Sequence, residues 1–428
     1  MPTSQPVSPL LGVERPRLEV VPPGAVETLG PACCELSTMA GIVPDEWQAD
    51  ALNVMLGVDA AGKWVAREYV ELVGRQQGKA LDVDTEVLTT DGWCRMGDLR
   101  AGQSVYHPDG HPTEIVDVSD VMHGHPCFEV RTTDGRSVVA DAEHLWDVQD
   151  RRTRTRRGRR GERPTYTYPW ETLTTRELVA RGLLRRAVRA RPGGSSADYA
   201  IRLPRQHVVV AKPVDLPVDP WLFGAWLGDG SATQAGLTVG DQDISEMRKL
   251  VEEAGAALVS CRRHRTAWGL RFRTGPVRAG WETQMRRLGT WGSKHVPDVF
   301  LTAGTEQRLA LLQGLMDTDG SAYRTASSVR VEFSSCRQVL AEAVLYLARS
   351  LGWRATIREN AATLNGREVG RRWRVAWTPQ QGDPAPFRLQ RKQVRVQAPQ
   401  SRGDERHAVS VASITPVPSR PVRCIKVA

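Results

Sequence analysis

The feature that most constrains this chain is an internal repeat. Leu222-Phe223-Gly224-Ala225-Trp226-Leu227-Gly228-Asp229-Gly230-Ser231-Ala232 recurs as Leu312-Gln313-Gly314-Leu315-Met316-Asp317-Thr318-Asp319-Gly320-Ser321-Ala322. Each copy precedes a strand-like stretch and then a helix ending near a glycine, over Ile244 to Gly255 and over Val339 to Gly352. Matched halves of this kind imply a domain with pseudo-twofold symmetry. A glycine inside an apolar helix costs about 1 kcal/mol against alanine, so Gly224 and Gly314 need a packing reason. If the two helices face each other, the glycines permit close backbone approach, and Asp229 and Asp319 emerge together at the helix ends. A single Asp-Gly after a helix is usually a turn. Two copies within an extended motif reverse that reading. Paired carboxylates around a divalent ion such as Mg2+ suit phosphodiester hydrolysis.

The 428 residues can hold two or three domains, each with its own core. A net charge of +9 favours polyanions such as nucleic acid, because each phosphate neutralised releases counterions. Much of the excess sits in Arg151, Arg152, Arg154, Arg156, Arg157, Arg159, Arg160 and Arg163, a run that either grips DNA or is a solvated linker. Apolar runs fall short of the roughly 18 residues a membrane span needs, and the N-terminus lacks a signal pattern. A cytoplasmic protein without membrane contact is expected. The seven cysteines include an adjacent pair, Cys33 and Cys34, with no second pair at zinc-site spacing, so a lone nucleophile is the expected role for any important cysteine.

Character changes along the chain divide it into 1–79, 80–150, 151–214, 215–400 and 401–428. The first 30 or so residues are proline-rich, and a helical pattern follows from Pro44, with Trp47, Ala51, Val54 and Met55 on one side. From Leu81 to Val148, short strand-like runs are split by Asp91-Gly92, Asp109-Gly110 and Asp134-Gly135, which reads as an all-β unit. Helices and strands alternate from Pro217 to Ile357, and a strand-rich piece closes the chain from Ala408.

The repeats resemble the LAGLIDADG homing endonucleases, the copy Leu312 to Gly320 more closely than the first, in which Gly228 precedes the acid. The flanks Lys294 to Leu301 and Val331 to Ile357 are similar as well. The resemblance implies an α+β pseudo-twofold domain, monomeric, with metal-binding Asp229 and Asp319 and with strands that saddle double-stranded DNA.

Ala80 to Leu88, Val138 to Trp146 and Val411 to Val427 resemble intein motifs, implying an all-β Hint splicing domain interrupted by the endonuclease. The first intein residue would be Ala80, which carries no nucleophile. Inteins called class 3 begin without one, and pair a tryptophan two residues after the motif histidine with a cysteine in the penultimate motif. Trp146 and Cys424 fit. By that resemblance Cys424 attacks the carbonyl of Lys79, His144 donates a proton to the leaving amide of Ala80, and Asp141 orients His144. The asparagine that ends such inteins is absent, since Asn53, Asn360 and Asn365 all precede Cys424. The sequence as given is therefore expected to be a fragment, a frameshifted remnant, or one half of a pair completed in trans by a C-terminal segment.

Residues 44–79 resemble the N-terminal segment of phage terminase large subunits, a partial α/β P-loop ATPase. By that likeness Trp47 and Gln48 lie near adenine, and Arg75, Gly78 and Lys79 belong to a deviant phosphate loop. ATP would be bound only by the spliced host protein. The alternative to an active endonuclease is an inactive, DNA-binding intein remnant.

Overall fold

The computed structural model describes residues 23–40, 44, 46–66, 80–153, 155–157, 165–184, 198–204, 207–232, 234–264, 266–275, 280–324, 329–364, 367–380, 382–396 and 409–428. The chain divides into two units, Met1–Arg75 and Gln76–Ala428.

In the first unit, the short strands Glu27–Thr28 and Gly57–Val58 pair antiparallel around helices Gly30–Met39 and Glu46–Met55. The helices meet closely, because a Cβ on Gly30 would run into the side chain and backbone of Asn53. Gln48 lies on the second helix. Arg75, Gly78 and Lys79 lie outside the described residues, as does the side chain of Trp47.

The second unit begins with the β domain expected from the alternating pattern. One five-stranded sheet runs Val411–Val417, Cys127–Thr132, Ser137–Asp141, Leu81–Asp82, Val422–Arg423. Another runs Ile425–Val427, Pro112–Val118, Ser104–Tyr106, Glu86–Thr89, Gly92–Arg95. The Asp-Gly dipeptides form the turns. Gly135, for example, has φ +87° between two paired strands, a conformation that favours glycine. Strands after residue 410 pair with strands before residue 142, so one fold is built from both ends of the unit and the intervening chain is an insertion.

The segment taken as a basic linker is partly inside this fold. Strand Leu145–Asp150 pairs with Trp170–Thr174 and Ile201–Arg202, and helix Thr175–Arg181 starts on a Thr174/Glu177 capping box. Leu173, Leu178, Ala200 and Ile201 bury with Val130, Val148 and Val411. The expected boundary at residue 150 therefore cuts a continuous core. Apolar burial, not the local arginine content, decides where the domain ends.

The insertion contains the two matched halves. The first has helix Pro220–Asp229, strand Gly236–Val239, helix Ile244–Glu253 and strands Ala257–Arg263 and Trp268–Arg273. The second has helix Thr305–Asp319, strands Gly320–Arg324 and Val329–Ser335, helix Gln338–Ser350 and strands Thr356–Leu364 and Arg367–Trp377. Both halves share one core, in which Trp221, Phe223, Trp226, Phe300, Phe333 and Leu347 are almost fully buried. None of the described helices is long and apolar enough to cross a membrane.

Candidate functional sites

The first motif helix is apolar on nearly every side, and both motif helices run through the middle of this core. In Pro220–Asp229, every residue from Trp221 to Leu227 is buried. Asp219 caps the helix by accepting from the Leu222 N–H at 2.8 Å, and Pro220 stands at the first turn, where no amide donor is needed. The glycine expectation holds. A Cβ on Gly224 would meet the carbonyl of Leu311 and the Cα of Gly314, and one on Gly314 would meet the carbonyl of Trp221 and the Cα of Gly224.

That contact brings the helix C-termini together. A Cβ on Gly228 would strike the Thr318 hydroxyl and come within 3.1 Å of Asp319 Oδ2. This accounts for the first motif's departure, since any larger residue before its acid would displace the other half's carboxylate. Asp229 and Asp319 both remain exposed. Desolvation, then the charge of Asp229, pushes Asp319 up to about 6, against the opposing charges of Lys392 and Lys294. Desolvation likewise raises Asp229 above the usual carboxylate range, again opposed by the two lysines.

Those lysines were not singled out in the sequence. Lys294 Nζ donates to the carbonyls of Trp226 at 2.6 Å, Leu227 at 3.1 Å, Gly228 at 3.3 Å and Gly230 at 2.6 Å. Lys392 Nζ donates to the carbonyls of Met316 at 3.1 Å, Asp317 at 2.7 Å, Thr318 at 3.0 Å and Gly320 at 2.7 Å. Each lysine thus caps the C-terminus of one motif helix, where carbonyls lack intrahelical partners and the dipole favours a cation. Burial pulls Lys294 down to about 8, and it lowers Lys392 as well. Lys294 stood in the flank already noted. Lys392 lay in a polar tract with no pattern to mark it.

Two hard carboxylate oxygens at an open helix end fit a hard divalent cation whose other ligands are water or phosphate oxygens. Among the described residues, no group of three or more His, Cys, Asp and Glu side chains could hold a metal. Any such ion would therefore rest on the Asp229 and Asp319 pair.

The second site lies at one end of the first β sheet. Val417 pairs with Cys127, and Cys127 with Asp141. Leu81 pairs with Ala140 and with Arg423. Carried one residue further, that register sets Ala80 between Asp141 and Cys424. The Asp141 N–H donates to the Ala80 carbonyl at 3.0 Å, and Ala80, Cys127, Val422 and Cys424 share one buried cluster. Directly opposed residues project from the same face of a sheet, so Cys127, Asp141, Ala80 and Cys424 form a row.

The His144 and Trp146 ring centroids lie 4.7 Å apart, Trp146 packs with Val130 and Val138, and Trp146 Nε1 donates to Thr175 Oγ1 at 2.9 Å. Asp141 does not hold the His144 ring as expected. Its carboxylate lies 2.5 Å from His125 Nδ1 and accepts from the Glu143 N–H at 2.6 Å. It reaches His144 through the backbone, where the His144 N–H donates to the Asp141 carbonyl. A turn after the strand directs the ring and the carboxylate differently, and the partner comes from another strand's entrance.

The arginine run divides. Arg151 Nη1 bonds Asp198 at 2.8 Å. Arg152 grips the buried Asp150 and donates to the carbonyls of Arg181 and Gly182. Both arginines are therefore tied into the fold by these pairs. Arg154, Arg159, Arg160 and Arg163 lie outside the described residues, as do the side chains of Arg156 and Arg157.

Residues 306–376 match the family model of the LAGLIDADG-like domain. The chain is 32% identical over 365 residues to the replicative DNA helicase DnaB of Mycobacterium intracellulare, covering 82% of this chain and 55% of that protein. It is 24% identical over 176 residues to the homothallic switching endonuclease of Saccharomyces cerevisiae, covering 35% of this chain and 30% of that one. Among solved structures it is similar to the Msm DnaB1 intein splicing domain bound with zinc. That match has 46% identity and a TM-score of 0.16, and covers 16% of this chain and 54% of that chain. The family match identifies a LAGLIDADG-like domain within the second of the two matched halves. The chain spans about half the length of the first curated relative.

Proposed function

We propose that the chain is an intein-borne, site-specific homing endonuclease that makes double-strand breaks in DNA with Mg2+ as cofactor. The observation that carries this reading is the closure of two motif helices through Gly224 and Gly314, which sets two acids and two capping lysines at one open end. A divalent cation bound there supplies positive charge to the scissile phosphate and lowers the cost of ionising water. Asp229 and Asp319 hold that charge in place. Lys294 and Lys392 favour the ionised form of both carboxylates, so the pair can be anionic near neutral pH despite its dense surroundings. Exposed Arg262, Arg271, Arg273 and Arg358 on the two sheets supply cations for the phosphates of a duplex. The endonuclease domain acts as a monomer, because the two halves already provide both half-sites.

The splicing fold around it acts by the class 3 route. Cys424 attacks the Lys79 carbonyl, taking residues 1–79 as a thioester, while His144 protonates the departing nitrogen of Ala80. Trp146, seated against His144 and tied to Thr175, fixes that ring. The host is a terminase-like ATPase, which binds ATP through Trp47, Gln48, Arg75, Gly78 and Lys79 only after splicing. The protein works in the cytoplasm.

The test is incubation of the purified chain with Mg2+ and a duplex bearing the uninterrupted host site. Double-strand cutting that disappears in Asp229→Asn and in Asp319→Asn is expected. Binding of that duplex without cutting would leave a DNA-binding remnant as the correct description.

A further inference from the structure

The splicing row contains a histidine that the scheme above does not use. His125 lies just before Cys127, at the end of the sheet where Ala80 begins its strand. Its Nδ1 is 2.5 Å from the carboxylate of Asp141, and the Asp141 side chain is 4% exposed while that of His125 is 42% exposed. A second contact ties the histidine to the same cluster, because Cys127 Sγ donates to the His125 carbonyl at 3.4 Å. A buried carboxylate on Nδ1 fixes the ring and its tautomer, leaving Nε2 as the nitrogen that can take a proton.

We propose that Asp141 and His125 form the base that activates Cys424, resting on the splicing reading above. Asp141 and Cys424 flank Ala80 on neighbouring strands and face the same side. Two strand spacings, about 9.5 Å, separate their backbones, a span that a carboxylate, an imidazole and a thiol can bridge with two contacts of about 3 Å around one ring. The residue between them is alanine, whose single methyl leaves that path clear; a longer side chain at position 80 would stand in it. The small residue that cannot act as a nucleophile is thus also the one that lets a neighbouring nucleophile meet its base.

His125 Nε2 takes the proton of the Cys424 thiol, and the sulfur electron pair forms a bond to the Lys79 carbonyl carbon. The bond from that carbon to the Ala80 nitrogen breaks, and this nitrogen leaves as an amine with a proton from the His144 imidazolium. His125 ends protonated and His144 neutral, and exchange of one proton with solvent restores both. The Asp141 carboxylate beside Nδ1 offsets the charge gained by His125.

The experiment measures, by mass spectrometry of the full chain in the presence of dithiothreitol, the rate at which residues 1–79 are released. His125→Ala is expected to slow release about 100-fold or more, Asp141→Asn to slow it as well, and His123→Ala, at an exposed neighbouring position, to leave it unchanged. Added imidazole restores the rate of His125→Ala, with substituted imidazoles ranked by basicity. His125→Gln, which can still bond Asp141, remains slow although folded by circular dichroism. Parent-like release from His125→Ala, or a slow variant that no imidazole rescues, overturns the assignment. Absence of release from the parent chain removes the splicing reading itself and this base with it.

Discussion

Gly224 and Gly314 meet backbone to backbone, each occupying the space that a methyl on the other would need. The separation of the motif acids follows from this contact, because both helices run from it to their C-termini at Asp229 and Asp319.

Replacing Gly314 with alanine tests the contact directly. Helix propensity alone would stabilise the variant by about 1 kcal/mol, but the added carbon meets main-chain atoms of Trp221 and Ala225, which cannot turn aside. Overpacking of this kind costs about 1–3 kcal/mol. A net fall in urea midpoint and loss of DNA cutting are expected for Gly314→Ala. Gly240→Ala, where nothing lies within 4 Å, should leave both intact. Equal midpoints for the two variants would contradict the close approach.

Cutting should follow a bell-shaped pH profile. Asp319 is raised to about 6, so lowering the pH through that value protonates the carboxylate and removes a cation ligand. Lys294 is lowered to about 8, so raising the pH through that value discharges the ammonium that favours both carboxylate anions. Maximal kcat/KM between about pH 6 and 8 is the expected result. A rate that keeps rising from pH 8 to 10 would separate Lys294 from the reaction.

Lys392→Met keeps the length of the stem but removes the donors to four carbonyls. Leaving buried acceptors unpaired costs about 1–3 kcal/mol, and the carboxylates lose a cation that lowers their pKa values. Metal titration by calorimetry should show weaker Mg2+ binding at pH 6 than at pH 8.5, by a larger ratio than in the parent. An unchanged ratio would assign Lys392 to helix capping alone.

Arg308 is 1% exposed on the second motif helix. It donates to the carbonyls of Ala303 at 2.8 Å, Ser350 at 3.2 Å and Val209. Val210 in turn donates to the carbonyl of Gly110 in the β domain. The strap through residues 207–210 is therefore held at both ends. Arg308→Met should destabilise the fold by about 3 kcal/mol, since several buried acceptors lose a charged donor. Amide exchange at Val209 should accelerate with it; protected exchange in a folded variant would show that the strap does not depend on this arginine.

The duplicated motif was enough, read as sequence, to indicate two facing helices, their glycine contact and the acids at their ends. That part is legible because a buried helix writes its packing into a local run of residues. The β strands were equally plain from alternation and the Asp-Gly turns. What sequence could not supply were partners from distant segments. Lys294 and Lys392 become visible only when their ammonium groups reach the carbonyls of helices far away along the chain. Asp141 was assigned to His144, three residues along, while its carboxylate in fact joins His125 across the sheet entrance. The boundary at residue 150 failed for the same reason, because Leu173, Leu178 and Ile201 declare their place only by burying against Val130 and Val411. Local chemistry and periodicity fix which elements form. Which charges meet at their ends depends on long-range packing, where burial and hydrogen bonding choose among partners that the linear order leaves open.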